Sequence, residues 1–177
     1  MHEQSNYTAP RWAWWIATGF GSGKLKSAPG TWGSLAAGAV WFGLVFLIHF
    51  TARAAFEYVL GLLTLLMIFV SVFAVNHVVR QIDAKDPGYI VSDEWAGMWL
   101  ALWPTRRLVA EAINGGSWKY ALGVMFAAFL FFRFFDIWKP WPVRKLESLP
   151  RGWGVTLDDV MAGIFAGLVI YCAMVLI

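Results

Sequence analysis

The sequence has little of the chemistry on which many soluble enzymes and small secreted domains depend. Among its 177 residues are one cysteine and three histidines, which excludes an intrachain disulfide framework, a cysteine zinc site and a two-cysteine redox motif. Charged residues make up only 14% of the chain, against roughly 25% in a soluble domain. Lys and Arg are scattered, without the basic run typical of nucleic-acid binding. We therefore expect neither thiol chemistry nor a nucleic-acid partner.

Apolar residues are abundant instead: 59% of the chain is hydrophobic and 18% is aromatic. Several apolar runs approach the roughly 20 residues that a helix needs to cross a bilayer. They predict four long helices, at 33–50, 56–79, 120–135 and 160–177. A fifth apolar segment, 94–103, stops at Pro104. It either continues past the proline to 113, dips partway into the bilayer, or tilts while buried among its neighbours.

These runs predict an all-α, polytopic membrane helix bundle that forms one domain over residues 1–177. The first 32 residues are expected to form a cytoplasmic segment with a glycine-rich loop. The apolar stretch at 12–20 is short and has no small-residue cleavage site, so we expect no cleaved signal peptide. The net charge of +3 is modest and suits anionic membrane lipids.

The charged residues indicate an orientation. If the fifth segment crosses, then the N-terminus, 80–93 and 136–158 share one side, which holds ten of the fourteen Lys and Arg residues. The positive-inside rule makes that side cytoplasmic. Nine of the eleven acids lie on the same side, and only Glu57 and Glu111 lie opposite. Acids contribute little to topology, so their clustering predicts a functional site.

The acids of this face form four groups near predicted helix ends. The groups are Asp83 with Asp86, Asp93 with Glu94, Asp136, and Asp158 with Asp159. Converging carboxylates repel one another unless a cation neutralises them, and hard oxygen ligands select Mg²⁺, Ca²⁺ or Mn²⁺. The alternative is that single acids serve only as helix caps, with Asp158 as the N-cap of the last helix.

Helical spacing indicates which acids point inward. Asp159, Gly163 and Gly167 are four residues apart and share one face, a small-residue stripe of the kind that packs against another membrane helix. Asp93 and Gly97 repeat the pattern on the short segment. We therefore expect Asp159 to face the bundle interior. A third reading of the chain is a nonenzymatic assembly protein that uses these stripes to form a homo-oligomer.

Two further segments suit a phosphate group. Glycines at 19–23 and a helix start at 29–34 allow close approach of backbone N–H groups to an anion. Glycine turns and Thr or Ser caps at helix starts also occur for purely structural reasons. In the loop after the fourth long helix, Trp138, Trp141 and Arg144 are typical of an interfacial anchor. Lys139, three residues from Asp136, is the better phosphate ligand. His77 is expected to be structural.

Five motifs, at 19–23, 29–37, 90–99, 132–142 and 152–163, together resemble the phosphatidylglycerophosphatase A family of the bacterial inner membrane. The resemblance implies Mg²⁺-dependent removal of the terminal phosphate of phosphatidylglycerophosphate, an anionic phospholipid, on the cytoplasmic side. Asp86, with Pro87 and Gly88, matches an Asp-x-Gly motif of the family. Asp83 lies in a stretch whose length varies, and its role is the least supported.

These observations lead to a working assignment of roles. The candidate catalytic residues are Asp93, Glu94, Asp136 and Asp159. The candidate metal ligands are the same four with Asp86 and Asp158. The candidate phosphate ligands are Gly21, Ser22, Gly23, Thr31, Ser34, Arg133 and Lys139. Attack by a metal-activated water and attack by an aspartate remain open. A small ion transporter or channel is the alternative function, and it predicts acids throughout the membrane depth.

Overall fold

The structure is a computed structural model that describes residues 7–82 and 87–176, so the predicted site residue Asp86 and its neighbour Asp83 lie outside the described residues. Within those ranges the chain forms helices and no strands. The α-helices are α1 (Arg11–Ala17), α2 (Pro29–Thr51), α3 (Phe56–Ile82), α4 (Ser92–Leu102), α5 (Arg106–Asn114), α6 (Trp118–Trp138), α7 (Val143–Leu146) and α8 (Gly152–Leu176).

Four of these helices, α2, α3, α6 and α8, are long and apolar enough to cross a membrane. They contain 21 to 27 residues, and at about 1.5 Å per residue each exceeds the roughly 30 Å hydrocarbon core. Their outward faces carry exposed apolar side chains such as Leu62, Phe73 and Leu176, as expected of surfaces in contact with lipid. The predicted all-α membrane bundle is confirmed.

The last helix begins eight residues earlier than predicted, at Gly152 rather than at 160. Thr156, Asp158 and Asp159 interrupt the apolar run in its first turns, which is why the sequence pattern missed them. The start is fixed instead by tertiary packing, because the Gly152 N–H donates to Asn76 Oδ1 at 2.9 Å. Asp158 therefore lies inside α8 and is not its N-cap, which corrects the alternative considered above.

The fifth apolar segment continues past the proline. Pro104 lies in a short 3₁₀ turn, Trp103–Thr105, that joins α4 to α5. At the far end Arg107 Nε donates to Glu57 Oε1 at 2.6 Å, and Glu57 lies in the first turn of α3. The segment thus carries the chain from one end of the bundle to the other.

Helix α4 lies at the centre of the bundle, where it packs against α2, α3, α6 and α8. Most of its side chains are buried, including Trp95, Met98 and Leu102. Its closest neighbour is α8, because Gly97 and Gly163 face each other. A Cβ on Gly163 would lie 2.9 Å from the Gly97 Cα. This contact confirms that the predicted small-residue stripe is a helix-packing surface.

Candidate active site

Three carboxylates meet where α4 and α8 cross. Ligand oxygens of Asp93, Glu94 and Asp159 all lie within 4.8 Å of one another. Asp93 and Glu94 occupy the first turn of α4, where the helix dipole favours negative charge. Asp159 is only 4% exposed, as the Gly163 stripe predicted. The close approach of the two glycines therefore brings the acids together.

The donor set suits a hard divalent cation. Asp159 also experiences the negative charges of Asp136 and Asp158, and burial strengthens the repulsion among these groups. The Oε2 atom of Glu94 is buried and has no hydrogen-bond partner within residues 7–82 and 87–176. Carboxylate oxygens in this arrangement match the ligand preference of Mg²⁺. Asp93, Glu94 and Asp159 are thus the residues that could hold such an ion.

Arg133 on α6 borders the three acids. Its Nη1 atom donates to Asp136 Oδ2 at 2.5 Å and lies 3.9 Å from Glu94 Oε1. Arg133 and Asp136 are three residues apart on one helix, a spacing at which side chains meet. Asp136 thereby holds a guanidinium beside the acid cluster, and the planar guanidinium matches the geometry of a phosphate.

Lys139, directly after α6, provides a second cation. Its Nζ atom donates to Asp158 Oδ2 at 2.7 Å and lies 3.5 Å from Glu147 Oε2. Burial alone lowers the pKa of Lys139, but the hydrogen bond and charge of Asp158, with the charge of Glu147, outweigh it and raise that pKa above the ordinary lysine value. Lys139 is therefore fully protonated at neutral pH.

The N-terminal turn of α2 completes the site. Gly30 packs so closely that a Cβ there would contact Glu94 Oε1 and lie 3.2 Å from Arg133 Nη1. A helix N-terminus carries partial positive charge and receives anions well. The start of α2, Arg133 and the three carboxylates thus adjoin one another. This arrangement offers both a cation site and an anion site.

A family model described as Phosphatidylglycerophosphatase A matches residues 15–174. The chain belongs to the phosphatidylglycerophosphatase A family. This confirms the family predicted from the five motifs, and with it the prediction of a phosphatase. The match covers α2 to α7 completely, the last three residues of α1, and α8 except for its last two residues.

Curated relatives agree with this membership. A Haemophilus influenzae protein named phosphatidylglycerophosphatase A is 36% identical over 160 residues, covering 88% of this chain and 85% of its own. The Escherichia coli protein of the same name is 32% identical over 157 residues, which cover 88% of this chain and 80% of that protein. A Bacteroides thetaiotaomicron protein, provisionally named a phosphatidylinositol-3-phosphatase, is 39% identical over 158 residues. These cover 89% of this chain and 91% of that protein. No solved structure matches the chain.

The family's glycine-rich motif forms a tight 3₁₀ turn, Gly19–Lys24. Gly21 has a φ of 97°, which favours glycine. Gly23 packs against the segment before α4, and a Cβ there would lie 2.9 Å from Val91 Cγ2. The Ser22 hydroxyl donates to the Gly19 carbonyl at 2.8 Å. The turn therefore supports the start of α4, and phosphate binding by Gly21, Ser22 and Gly23 stays a prediction.

The predicted phosphate ligands of α2 differ in position. Thr31 lies in the first turn of α2, directly after Gly30, the residue that adjoins Glu94 and Arg133. Ser34 is buried one turn further along, and its hydroxyl donates to the Gly30 carbonyl at 2.8 Å. The Ser34 hydroxyl thus stabilises the turn that contacts Glu94. Phosphate binding by Thr31 and Ser34 stays a prediction.

Sequence reasoning missed a buried hydroxyl network behind the acids. Ser71 on α3 donates to Ser92 Oγ at 3.0 Å and lies 3.2 Å from Thr156 Oγ1. All three side chains are fully buried. Ser92 directly precedes Asp93, and Thr156 is three residues before Asp159, so the network links the helices that carry the carboxylates. The sequence offered one signal for this network: Ser92, a polar residue, stands directly beside Asp93 at the start of an apolar segment.

Proposed function

We propose that this protein hydrolyses the terminal phosphomonoester of phosphatidylglycerophosphate and yields phosphatidylglycerol and phosphate, a step of phospholipid biosynthesis. We further propose Mg²⁺ as its cofactor and the cytoplasmic face of the bacterial inner membrane as its location. Family membership supports the reaction, since the relatives from Escherichia coli and Haemophilus influenzae carry this name. The four apolar helices support a substrate that resides in the membrane.

One observation carries the proposal: the Asp93–Glu94–Asp159 cluster adjoins Arg133 and the positive N-terminus of α2. An Mg²⁺ ion held by Asp93, Glu94 and Asp159 would supply charge neutralisation for the phosphomonoester and would lower the pKa of the attacking water. Arg133 and the Gly30 turn would then hold the phosphate oxygens, and both are positive groups within a poorly solvated site. Such pre-positioned charge is an effective way to stabilise a phosphoryl-transfer transition state.

Asp136 and Asp158 take a different part in this proposal. Each was predicted as a metal ligand, and each makes a short ion pair with a cation, Arg133 or Lys139. These pairs favour a positioning role, in which the acid holds its cation in place for the phosphate. Asp93, Glu94 and Asp159 then remain the favoured metal ligands.

Charge distribution supports the cytoplasmic location. Of the thirteen Lys and Arg residues in the described ranges, nine belong to segments at the end of the bundle that holds the acid cluster. The other four, Arg53, Arg106, Arg107 and Lys119, belong to the opposite end. The positive-inside rule assigns the richer end to the cytoplasm.

The decisive experiment measures phosphate release by purified protein from phosphatidylglycerophosphate in detergent micelles. We expect turnover with Mg²⁺, loss of turnover after chelation, and recovery when Mg²⁺ is restored. Turnover that is unaffected by chelation would reject the Mg²⁺ assignment and leave the phosphatase assignment standing. No release under any metal condition would reject the phosphatase proposal.

A second substrate deserves the same assay, because the Bacteroides relative is named for phosphatidylinositol 3-phosphate. Its phosphate is esterified to a secondary inositol hydroxyl, whereas phosphatidylglycerophosphate carries a phosphate on a primary hydroxyl. If kcat/KM were larger for phosphatidylinositol 3-phosphate than for phosphatidylglycerophosphate, the proposed substrate would change. The proposed site residues would stay the same.

The distribution of acids favours an enzyme over an ion transporter. Asp93, Glu94, Asp136 and Asp159 belong to one end of the bundle, and Glu57 pairs with arginines at the other. Between these ends, the described parts of the long helices carry no acid. A transport path would need ionisable groups through the membrane depth. Efflux assays in proteoliposomes would reveal transport if it occurred.

A further inference from the structure

An apolar cavity of about 460 Å³ lies between α2, α4 and α6. Gly38 and Ala39 line it on α2, Met98 on α4, and Met125 and Phe129 on α6. Apart from the hydroxyl of Ser34, which already donates to the backbone of its own helix, the side chains named here are apolar. The cavity therefore suits a hydrocarbon group.

The cavity lies directly beneath the candidate active site. Each of its three walls carries a residue four positions, or about one helical turn, from a residue of the site. These pairs are Gly30 and Ser34 on α2, Glu94 and Met98 on α4, and Arg133 and Phe129 on α6. A molecule that binds its phosphate at Gly30 and Arg133 would thus have the cavity immediately below.

The cavity also opens toward the lipid. Leu35, Leu122 and Phe126 line it and remain 42%, 55% and 58% exposed. They belong to α2 and α6, both long enough to cross the membrane, so their exposed surfaces face hydrocarbon. A lipid chain can therefore reach the cavity sideways from the bilayer, without passing through water.

We propose that this cavity, the α2–α6 groove, seats an acyl chain of the phospholipid substrate while the headgroup occupies the site above it. The inference rests on the proposed function. A phospholipid places an anionic group directly above hydrocarbon, and the protein places Arg133 and the Gly30 turn directly above the groove. The groove would then contribute to substrate binding and favour acylated over deacylated headgroups.

The test narrows the groove and leaves the site unchanged. A Cβ on Gly38 would lie 3.6 Å from Met98 Cε, an ordinary contact, so Gly38→Leu extends into the groove without meeting backbone. Gly43→Leu is the matched control on the same helix, because a Cβ there meets nothing within 4 Å. Ala39→Phe narrows the same wall from an exposed position and serves if Gly38→Leu does not fold.

Each variant is assayed with dioleoyl phosphatidylglycerophosphate in micelles and with its water-soluble deacylated headgroup. We expect Gly38→Leu to raise KM for the dioleoyl substrate about tenfold, which corresponds to the loss of roughly two buried methylene groups. KM for the deacylated headgroup should not change, and Gly43→Leu should alter neither value. The ratio of the two KM values is therefore the decisive measurement.

Several results would overturn the inference. Equal changes for both substrates would show that Gly38→Leu disturbs the site itself, and no change for either would show that the groove is not used. An altered oligomeric state with an unchanged KM ratio would assign the groove to a second copy of the chain.

A failure of the proposed function is recognised separately, because the wild type would then release phosphate from neither substrate. Native mass spectrometry with dioleoyl phosphatidylglycerol tests the groove even in that case. We expect Gly38→Leu to retain one phospholipid fewer than the wild type and Gly43→Leu. Equal retention by all three proteins would overturn the inference.

Discussion

Gly97 of α4 and Gly163 of α8 hold the backbones of two membrane helices in contact. A Cβ on Gly97 would lie 2.5 Å from the carbonyl oxygen of Asp159, and one on Gly163 would lie 2.9 Å from the Gly97 Cα. No side chain separates the two helices at this point. The distance between Asp159 and the acids of α4 therefore depends on the absence of two methyl groups.

Gly163→Ala should destabilise the bundle and impair the site together. The added methyl group must push α8 away from α4, and overpacking of this kind costs about 1–3 kcal/mol. Thermal unfolding in detergent measures the stability, and phosphate release measures the site. Gly123→Ala on α6 is the control, because a Cβ there meets nothing within 4 Å. Equal stability of both variants would contradict the packing argument.

Asp159→Asn and Asp93→Asn should each lower kcat by about 10²- to 10⁴-fold, the range typical of lost acid–base or charge stabilisation. Asparagine keeps the side-chain shape, so the folded state should survive. Because both acids would serve one ion, the double variant should lose little more than either single variant. Glu111→Gln, at the other end of the bundle and exposed, is the control. A near-normal kcat in both variants would show that neither Asp93 nor Asp159 is needed for turnover.

Asp93 and Asp159 are also the candidates for covalent attack on phosphorus. Acid quenching during turnover, followed by mass spectrometry of the protein, distinguishes the two routes. A trapped phosphoryl group on either aspartate supports a covalent intermediate, and its absence under conditions of rapid turnover supports direct attack by water.

Arg133→Lys should reduce kcat/KM by roughly 10- to 100-fold, as expected from the loss of a charged hydrogen bond worth about 1.5–3 kcal/mol. Lysine keeps the charge but cannot contact Asp136 and a phosphate with one planar group. Arg107→Lys is the matched control, since Arg107 pairs with Glu57 at the opposite end and is exposed. If the two variants behaved alike, Arg133 would have no role in substrate binding.

Ser71→Ala should lower both stability and kcat, because it leaves Ser92 and Thr156 without their shared partner. Hydrogen bonds between membrane helices contribute about 0.6–2 kcal/mol. Thr64→Ala on the same helix is the control, as the buried Thr64 hydroxyl bonds only to the Leu60 carbonyl of its own helix. A normal kcat in Ser71→Ala would restrict the network to a structural role.

Local features of the chain were sufficient to predict the four long helices, although not all of their ends. Four apolar runs of membrane-spanning length predicted α2, α3, α6 and α8, because the apolar character of a helix depends on its own residues. The start of α8 was missed, since Gly152 is fixed by Asn76 from another helix. The sequence left three paths open for the fifth segment at Pro104. The structure shows that the segment continues past the proline, because α4 packs against α8 and Arg107 of α5 pairs with Glu57.

Helical periodicity also predicted part of the site. The spacing of Asp159 and Gly163 indicated that Asp159 faces inward. Arg133 and Asp136, three residues apart on one helix, are likewise close enough in sequence for their side chains to meet. Both are short-range relationships within one helix. Which residues of different helices meet could not be obtained in this way, because that depends on how the helices cross.

By itself, the sequence determined an all-helical membrane protein of the phosphatidylglycerophosphatase A family with its acids near one membrane face. Only the tertiary structure decided that Gly30 adjoins Glu94 and Arg133, that Lys139 pairs with Asp158, and that Ser71 links two acid-bearing helices. The physical reason is that helix formation and side-chain direction follow from neighbours within a few residues. Distances between helices follow instead from close packing at points such as Gly97 and Gly163.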